Sequence, residues 1–243
     1  MALPASRFTL TQLRDYVKGD LGLRSSNLLS DTDLSQWAIR ASDIISRETL
    51  FKKTSASVNA VANTKEHDLP TGCIAIEQVL FSTSGTAGTH RPLQQVTVSD
   101  LDSRDPYWRS EAAGTPVLYY VRGATSYGLH PTPGTSITTG ILVIYAALAT
   151  PAAADGDTYE VPLGNGEAIL TYCKWQASLK DISGEGRLRA DEYRRRWLSD
   201  LEELKQAVTD LDEAGACVMG ADSSPYGRSR VWGWVDSPAD AAP

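Results

Sequence analysis

The chain has 243 residues, a mass of 26.3 kDa and a formal net charge of −7, from 23 basic and 30 acidic side chains. All of this excess lies in residues 151–243, which hold ten basic and seventeen acidic side chains. Such acidity disfavours a general DNA clamp, which needs a basic surface to displace counterions. The longest apolar run, residues 141–149, is about half of what a membrane-spanning helix needs, and residues 1–10 lack the apolar core of a signal peptide.

The first third of the chain predicts two helices. Thr9 with Gln12 fits a capping box that opens the first helix. Ser30 with Asp33 is the start signal of a second helix, in which apolar residues recur at steps of three and four to about Leu50. Both helices are therefore expected to present an apolar stripe to a shared core.

The middle of the chain changes to the alternating pattern of strands, interrupted by Gly, Pro and Thr. The pattern predicts a small antiparallel sheet inserted between helical segments. A turn is expected over residues 82–90, and a polar corner or short helical turn over residues 99–105. The predicted strands comprise residues 58–62, 74–81, 91–98, 117–121, 127–130 and 137–149.

Helical spacing returns in the last third, first over residues 167–182 and then over a long helix of about residues 187–213. Glycines at 184, 186 and 215 bound the long helix. Its length suggests that it packs on other helices or on a neighbouring subunit. The run Arg194–Arg196 in this helix is interpreted as a solvated, ion-paired face; a phosphate-binding stripe is the alternative.

The remaining segment, residues 216–243, has no helical or strand period as a whole, and we expect an extended arm that becomes ordered on docking; plain disorder is the alternative. It nevertheless carries residue types that anchor protein interfaces. Because these alternate at steps of two, the segment could add to a sheet edge with like side chains on one face. The interface-type residues are Tyr226, Arg228, Arg230, Trp232 and Trp234.

Residues that would carry chemistry are sparse. Cys73, Cys173 and Cys217 are too far apart in sequence for a zinc knuckle and are interpreted as buried or half-buried thiols. His67, His90 and His130 could meet as a metal triad only through the fold. No nucleotide-binding, hydrolase or metalloprotease motif occurs. We therefore expect no catalytic, cofactor-binding or metal-ligating residues, and no enzyme.

The order of the segments resembles the head-to-tail adaptor (connector) proteins of tailed bacteriophages, including tail-tubular-A-like and podovirus portal-adaptor relatives. The resemblance begins with Leu10-Thr11-Gln12-Leu13-Arg14 and continues with the tryptophan motif Asp33-Leu34-Ser35-Gln36-Trp37. It includes Leu129-His130-Pro131-Thr132-Pro133, a strand followed by a proline turn, and ends with the long helix that contains Tyr193 and Leu201. Other matching segments are residues 68–70, 74–79, 91–93, 99–102, 114–116, 119–123, 161–163 and 168–170.

The resemblance implies an α+β fold: an α-helical bundle with an inserted small antiparallel β domain and an extended C-terminal arm. The bundle would comprise residues 1–55 and 163–215, the β domain residues 56–162 and the docking tail residues 216–243. It also implies a homo-oligomeric ring, expected to be twelvefold, that joins the portal of the DNA-filled head to further tail or nozzle proteins. The protein would be made in the host cytoplasm and reside in the virion at the head–tail junction.

Within that ring, three sets of residues have predicted roles. Packaged DNA would pass through without sequence-specific binding, because unpaired carboxylates repel phosphate. The predicted channel-lining residues are Glu202, Glu203 and Asp210. The predicted subunit-interface residues of the long helix are Trp197, Leu201, Leu204 and Val208, and the portal-docking tail carries Tyr226, Arg228, Arg230, Trp232 and Trp234.

Two alternatives remain open from the sequence. One is another virion ring or tail-completion protein with similar parts. The other is a metal-dependent enzyme that uses the loop histidines His67, His90 and His130. No cofactor is expected under the adaptor interpretation, and no membrane partner.

Overall fold

The computed structural model describes residues 8–22, 29–162, 166–180 and 184–219, with side chains to residue 212. These residues contain five α-helices and eight β-strands, which confirms the predicted α+β class. The chain divides into two compact units. Of the described residues, those within 1–56, 69–77 and 143–210 form the first unit, and those within 57–68, 78–142 and 211–243 form the second. The predicted C-terminal arm, from residue 220 on, lies outside the described residues.

Both N-terminal helices begin where the capping signals predict. Helix α1 spans Leu10–Asp20, and Thr9 and Gln12 form the reciprocal capping box. Helix α2 spans Asp31–Thr49, and the Ser30 hydroxyl accepts a hydrogen bond from the backbone N–H of Asp33. These caps satisfy amide groups that a helix start leaves without partners. They place the apolar stripes of both helices toward one core.

That core also takes in two C-terminal helices, α4 (Glu167–Lys180) and α5 (Gly184–Met219). Helix α5 is longer than predicted, since it continues through Gly186 and Gly215 and ends four residues into the segment expected to be extended. A glycine in a helix interior costs only about 1 kcal/mol relative to alanine, too little to end a long helix alone. The core side chains include Leu10, Leu13, Val17, Leu34, Ala38, Ala41, Ile45, Ile169, Tyr172, Cys173, Trp197, Leu201, Leu204 and Val208.

The strands form two four-stranded sheets, whereas the sequence predicted one. The first sheet has the order β1 (Lys53–Ala60), β8 (Ile137–Ala147), β3 (Cys73–Phe81) and β4 (Arg91–Pro92). The second has the order β2 (Glu66–Asp68), β7 (Ser126–His130), β6 (Leu118–Arg122) and β5 (Gln94–Gln95). The β5–β6 pair is parallel, so the second sheet is mixed.

The predicted strand over residues 91–98 is therefore wrong. Residues 91–92 form β4 in the first sheet and residues 94–95 form β5 in the second, and Val98 begins helix α3 (Val98–Arg104). Thr97 and Asp100 form a capping box at the start of α3. For residues 99–105 the sequence predicted either a polar corner or a short helical turn, and the structure has the helix.

In the second sheet, α3 and the turn after it lie against β6. Tyr120 of β6 is paired in register with Gly128 of β7, and a Cβ atom at residue 128 would overlap the Tyr120 ring. Trp108 meets Tyr120 edge-to-face at 5.3 Å between ring centroids. The glycine thus makes room for a buried aromatic pair. No helix in the described part of the chain is both long and apolar enough to cross a lipid bilayer.

Candidate functional site

The inward face of α5 holds the four residues predicted from the sequence to lie at a subunit interface. Their side chains are only 2–8 % exposed within the single chain. The ring of Trp197 lies 5.1 Å from that of Tyr172 on α4, which in turn meets Trp175. Trp197, Leu201, Leu204 and Val208 thus belong to the core of their own chain. Their assignment to a subunit interface stays a prediction.

The outward face of α5 exposes the three predicted channel-lining carboxylates. Glu202 is 78 % exposed and lies 4.0 Å from the ammonium of Lys205, which pairs more closely, at 2.7 Å, with Glu48. Asp210 accepts a hydrogen bond of 2.7 Å from the Gln206 amide. Glu203 is exposed and has no partner within the described ranges. The three carboxylates are therefore exposed to solvent and hardly neutralised.

The arginines of α5 differ from the predicted ion-paired face. All three side chains of the run 194–196 are exposed. The Arg195 Nε donates to the backbone carbonyl of Asp191 at 3.3 Å, and no acidic side chain in the described ranges pairs with Arg194, Arg195 or Arg196. An arginine–carboxylate pair on α5 joins Arg189 to Glu185 at 3.4 Å. Exposed pairs of this kind gain little over hydration, so adjacency in sequence does not enforce pairing.

The three histidines are engaged separately, all in the second compact unit. His67 is buried in β2, with its ring 5.7 Å from that of Tyr127. His90 Nε2 lies 3.0 Å from the Thr139 carbonyl oxygen, and His130 Nε2 lies 3.1 Å from a Glu111 carboxylate oxygen. In the described ranges, no three His, Cys, Asp or Glu side chains gather as metal ligands. The structure thus gives no support to the metal-dependent enzyme alternative.

A cleft of about 210 Å³ on the second sheet was not anticipated from the sequence. Its cations are already occupied: Arg109 pairs with Asp102, Arg122 pairs with Glu66, and Lys65 donates to the carbonyl of residue 109. The pKa of the Asp102 carboxyl group is lowered, mainly by the hydrogen bond from Arg109 and to a smaller extent by the one from the Trp108 indole. The cleft is lined by Lys65, Glu66, Val98, Trp108, Arg109, Tyr120 and Arg122. Because the charged side chains of this cleft already have partners within the fold, we interpret them as stabilising the local structure rather than as binding a ligand.

The predicted docking residues Tyr226, Arg228, Arg230, Trp232 and Trp234 lie outside the described residues. Of the predicted thiols, Cys173 is buried and Cys73 half-buried. Burial raises the pKa of both thiols, which favours the unreactive protonated form.

Comparison with known families gives a match over most of the chain. The profile described as SU10 adaptor protein matches residues 8–219, which include every helix and strand described above. None of the curated proteins compared with the chain matches it. The chain belongs to the SU10 adaptor family, and so to the structural adaptor proteins of bacteriophage particles.

Proposed function

Because the chain belongs to the SU10 adaptor family, we propose that this protein forms a closed ring that connects the portal of the DNA-filled head to the tail. The observation that carries the proposal is the family match over residues 8–219. We propose twelve copies, with the portal on one side and further tail or nozzle proteins on the other. The division into helical segments 1–55 and 163–215, inserted β segment 56–162 and docking tail 216–243 belongs to the same proposal.

A closed ring needs a heterologous interface, in which two different patches of each subunit meet. We propose that α5 contributes to this contact. Its core residues Trp197, Leu201, Leu204 and Val208 hold the helix in place, and the neighbouring Leu198 is 52 % exposed and free to contact another subunit. Replacing Leu198 with Asp adds a charge without opening the core, so failure to form a ring would reflect the interface rather than misfolding.

The mass of the purified protein, alone and mixed with portal protein, tests ring formation. A species of many copies, stabilised by the portal, is the expected result. A protein that stays monomeric and does not bind the portal contradicts the proposal. The Leu198→Asp variant is compared at equal concentration, with its circular dichroism spectrum as the folding control.

We propose that the exposed acidic face of α5 lines the DNA channel. The supporting observation is that Glu202, Glu203 and Asp210 are all exposed and hardly paired. Carboxylates at the channel wall repel phosphate, so DNA slides past these three residues without binding to them. Reversing the three to lysine is expected to slow DNA release from virions in a salt-dependent way, because each lysine bound to a phosphate displaces counterions. Release rates that do not respond to the substitutions at any salt concentration contradict the lining role.

We propose that the tail docks on the portal or on a neighbouring subunit. The support is compositional: Tyr226, Trp232 and Trp234 supply aromatic anchors, and Arg228 and Arg230 can pair with carboxylates. Truncation after Met219 keeps all of α5 and removes these anchors. The truncated chain is expected to fold and to lose stable attachment to the portal. Attachment as tight as that of the full chain contradicts the docking role.

A further inference from the structure

The outward face of α5 carries charges of both signs, separated along the helix axis. Arg195 and Glu202 are seven residues apart, as are Arg196 and Glu203. Seven residues are close to two turns, so each pair lies on one face, with a rise of about 10.5 Å. Any orientation that turns the two glutamates toward the channel therefore turns the two arginines toward it as well.

These arginines are free to bind a partner. Both side chains are exposed, and neither pairs with an acidic side chain of the described residues. The one bond made by Arg195, from Nε to its own helix backbone, leaves its two terminal nitrogens available. A guanidinium presents a planar fork of donors that suits a phosphate group.

We propose that Arg195 and Arg196 form a band that binds the phosphate backbone of duplex DNA, one heptad before the acidic band of Glu202 and Glu203. The inference rests on the proposed ring and channel. The arginine band holds the DNA at one level of the channel, and the acidic band repels it at the next. A ring multiplies two guanidiniums per copy into a continuous basic belt, although the chain as a whole is acidic.

The neighbouring arginine provides a matched control. Arg194 is exposed, has no acidic partner in the described ranges, and differs from Arg195 by one position. It lies nine residues from Glu203, which is about 180° around the helix. Arg194 also lies eight residues from Glu202, about 80° around the helix, so it lies to one side of the face that carries the proposed band. A nonspecific effect of removing positive charge would appear equally in an Arg194 variant.

The test measures binding of a fluorescent mixed-sequence duplex to the assembled full-length ring over a series of salt concentrations. The variants are Arg195→Gln with Arg196→Gln, and Arg194→Gln alone. The double variant is expected to bind more weakly at low salt, with a log–log salt slope smaller by about one for each phosphate that no longer pairs with a guanidinium. Raising the salt concentration from about 50 to about 200 mM weakens DNA binding by both proteins. If two phosphate contacts are lost, the factor by which affinity falls is roughly tenfold smaller for the double variant than for the wild type. Arg194→Gln is expected to match the wild type.

Ring formation is measured first on the same samples, by mass and particle imaging. A wild-type chain that forms no ring contradicts the proposed function. An intact ring whose DNA binding is unchanged in the double variant contradicts only the arginine band. Dissociation of the double-variant ring also overturns the inference, since it assigns the arginines to carboxylates of a neighbouring subunit. An equal weakening of DNA binding in the Arg194 variant overturns it too.

Discussion

The helical core and the interior of the second sheet are built on different chemistry. The helical core is mainly aliphatic and aromatic, with Leu34, Ala38 and Ile45 of α2 fully buried, and it also buries hydroxyl groups such as those of Ser42 and Tyr159. In the second sheet, polar aromatic rings fill the interior. His67 and Tyr127 lie side by side, and their Nε2 and hydroxyl groups are buried without a hydrogen-bond partner among the described residues. The stability of the helical core therefore depends mainly on how well its side chains fill the available volume, whereas that of the sheet interior also depends on the protonation state of the His67 ring.

The largest expected effect comes from a cavity in the helical core. Replacing Trp197 with Ala is expected to lower the free energy of unfolding by about 3–5 kcal/mol, because the ring is 3 % exposed and packs on Tyr172. Leu198→Ala, at the next position but half exposed, is the control and should change it by less than about 0.5 kcal/mol. Chemical denaturation of the two variants measures the difference. Similar values for both would contradict the assignment of Trp197 to the core.

A steric change in the second sheet should have the next largest effect. Gly128→Ala places a methyl group against the Tyr120 ring, which Trp108 holds from another side. Overpacking of this kind costs about 1–3 kcal/mol. Gly156→Ala is the matched control, since a Cβ there meets no atom within 4 Å. The free energy of unfolding and the emission of Trp108 are the measurements, and equal stability of the two variants would show that Tyr120 moves aside freely.

The smallest expected effect at neutral pH comes from His67. Burial lowers the pKa of this histidine below its ordinary value near 6.5, and the nearby Asp68 opposes the shift. The unfolded chain therefore binds a proton more readily, so the stability of the second unit should fall as the pH decreases through about 6.5 and below. His67→Phe removes this titration and should flatten the dependence of unfolding free energy on pH. An unchanged slope in the variant would exclude His67 as its source.

The sequence predicted the helical part of the fold well because the signals there are local. The caps at Thr9 and Ser30 and the apolar steps of three and four are set by residues within one or two turns of each other. The strands after residue 90 depend on distant partners. The amide of Leu93 donates to the Val79 carbonyl, whereas that of the next residue, Gln94, donates to the Val117 carbonyl. No local pattern predicts that two adjacent residues join different strands.

The candidate site shows the same limit. Exposure of Glu202, Glu203 and Asp210 follows from helical periodicity, which places them away from the apolar stripe. Periodicity does not predict that Arg195 and Arg196 lack an acidic partner among the described residues. Acidic residues lie near them in sequence, and pairing depends on rotamers and hydration. The aromatic pair of Trp108 and Tyr120 depends on Gly128, whose role appears only in the cross-strand register.

Symmetry-resolved imaging of virions and of the purified protein with its portal tests the central claim most directly. The account predicts a closed ring of this chain, twelvefold and coaxial with the portal, between the DNA-filled head and the tail. Density for the outward face of α5 should lie at the channel wall. A particle without a ring of this chain at that junction, or a ring whose α5 carboxylates face away from the channel, would contradict it.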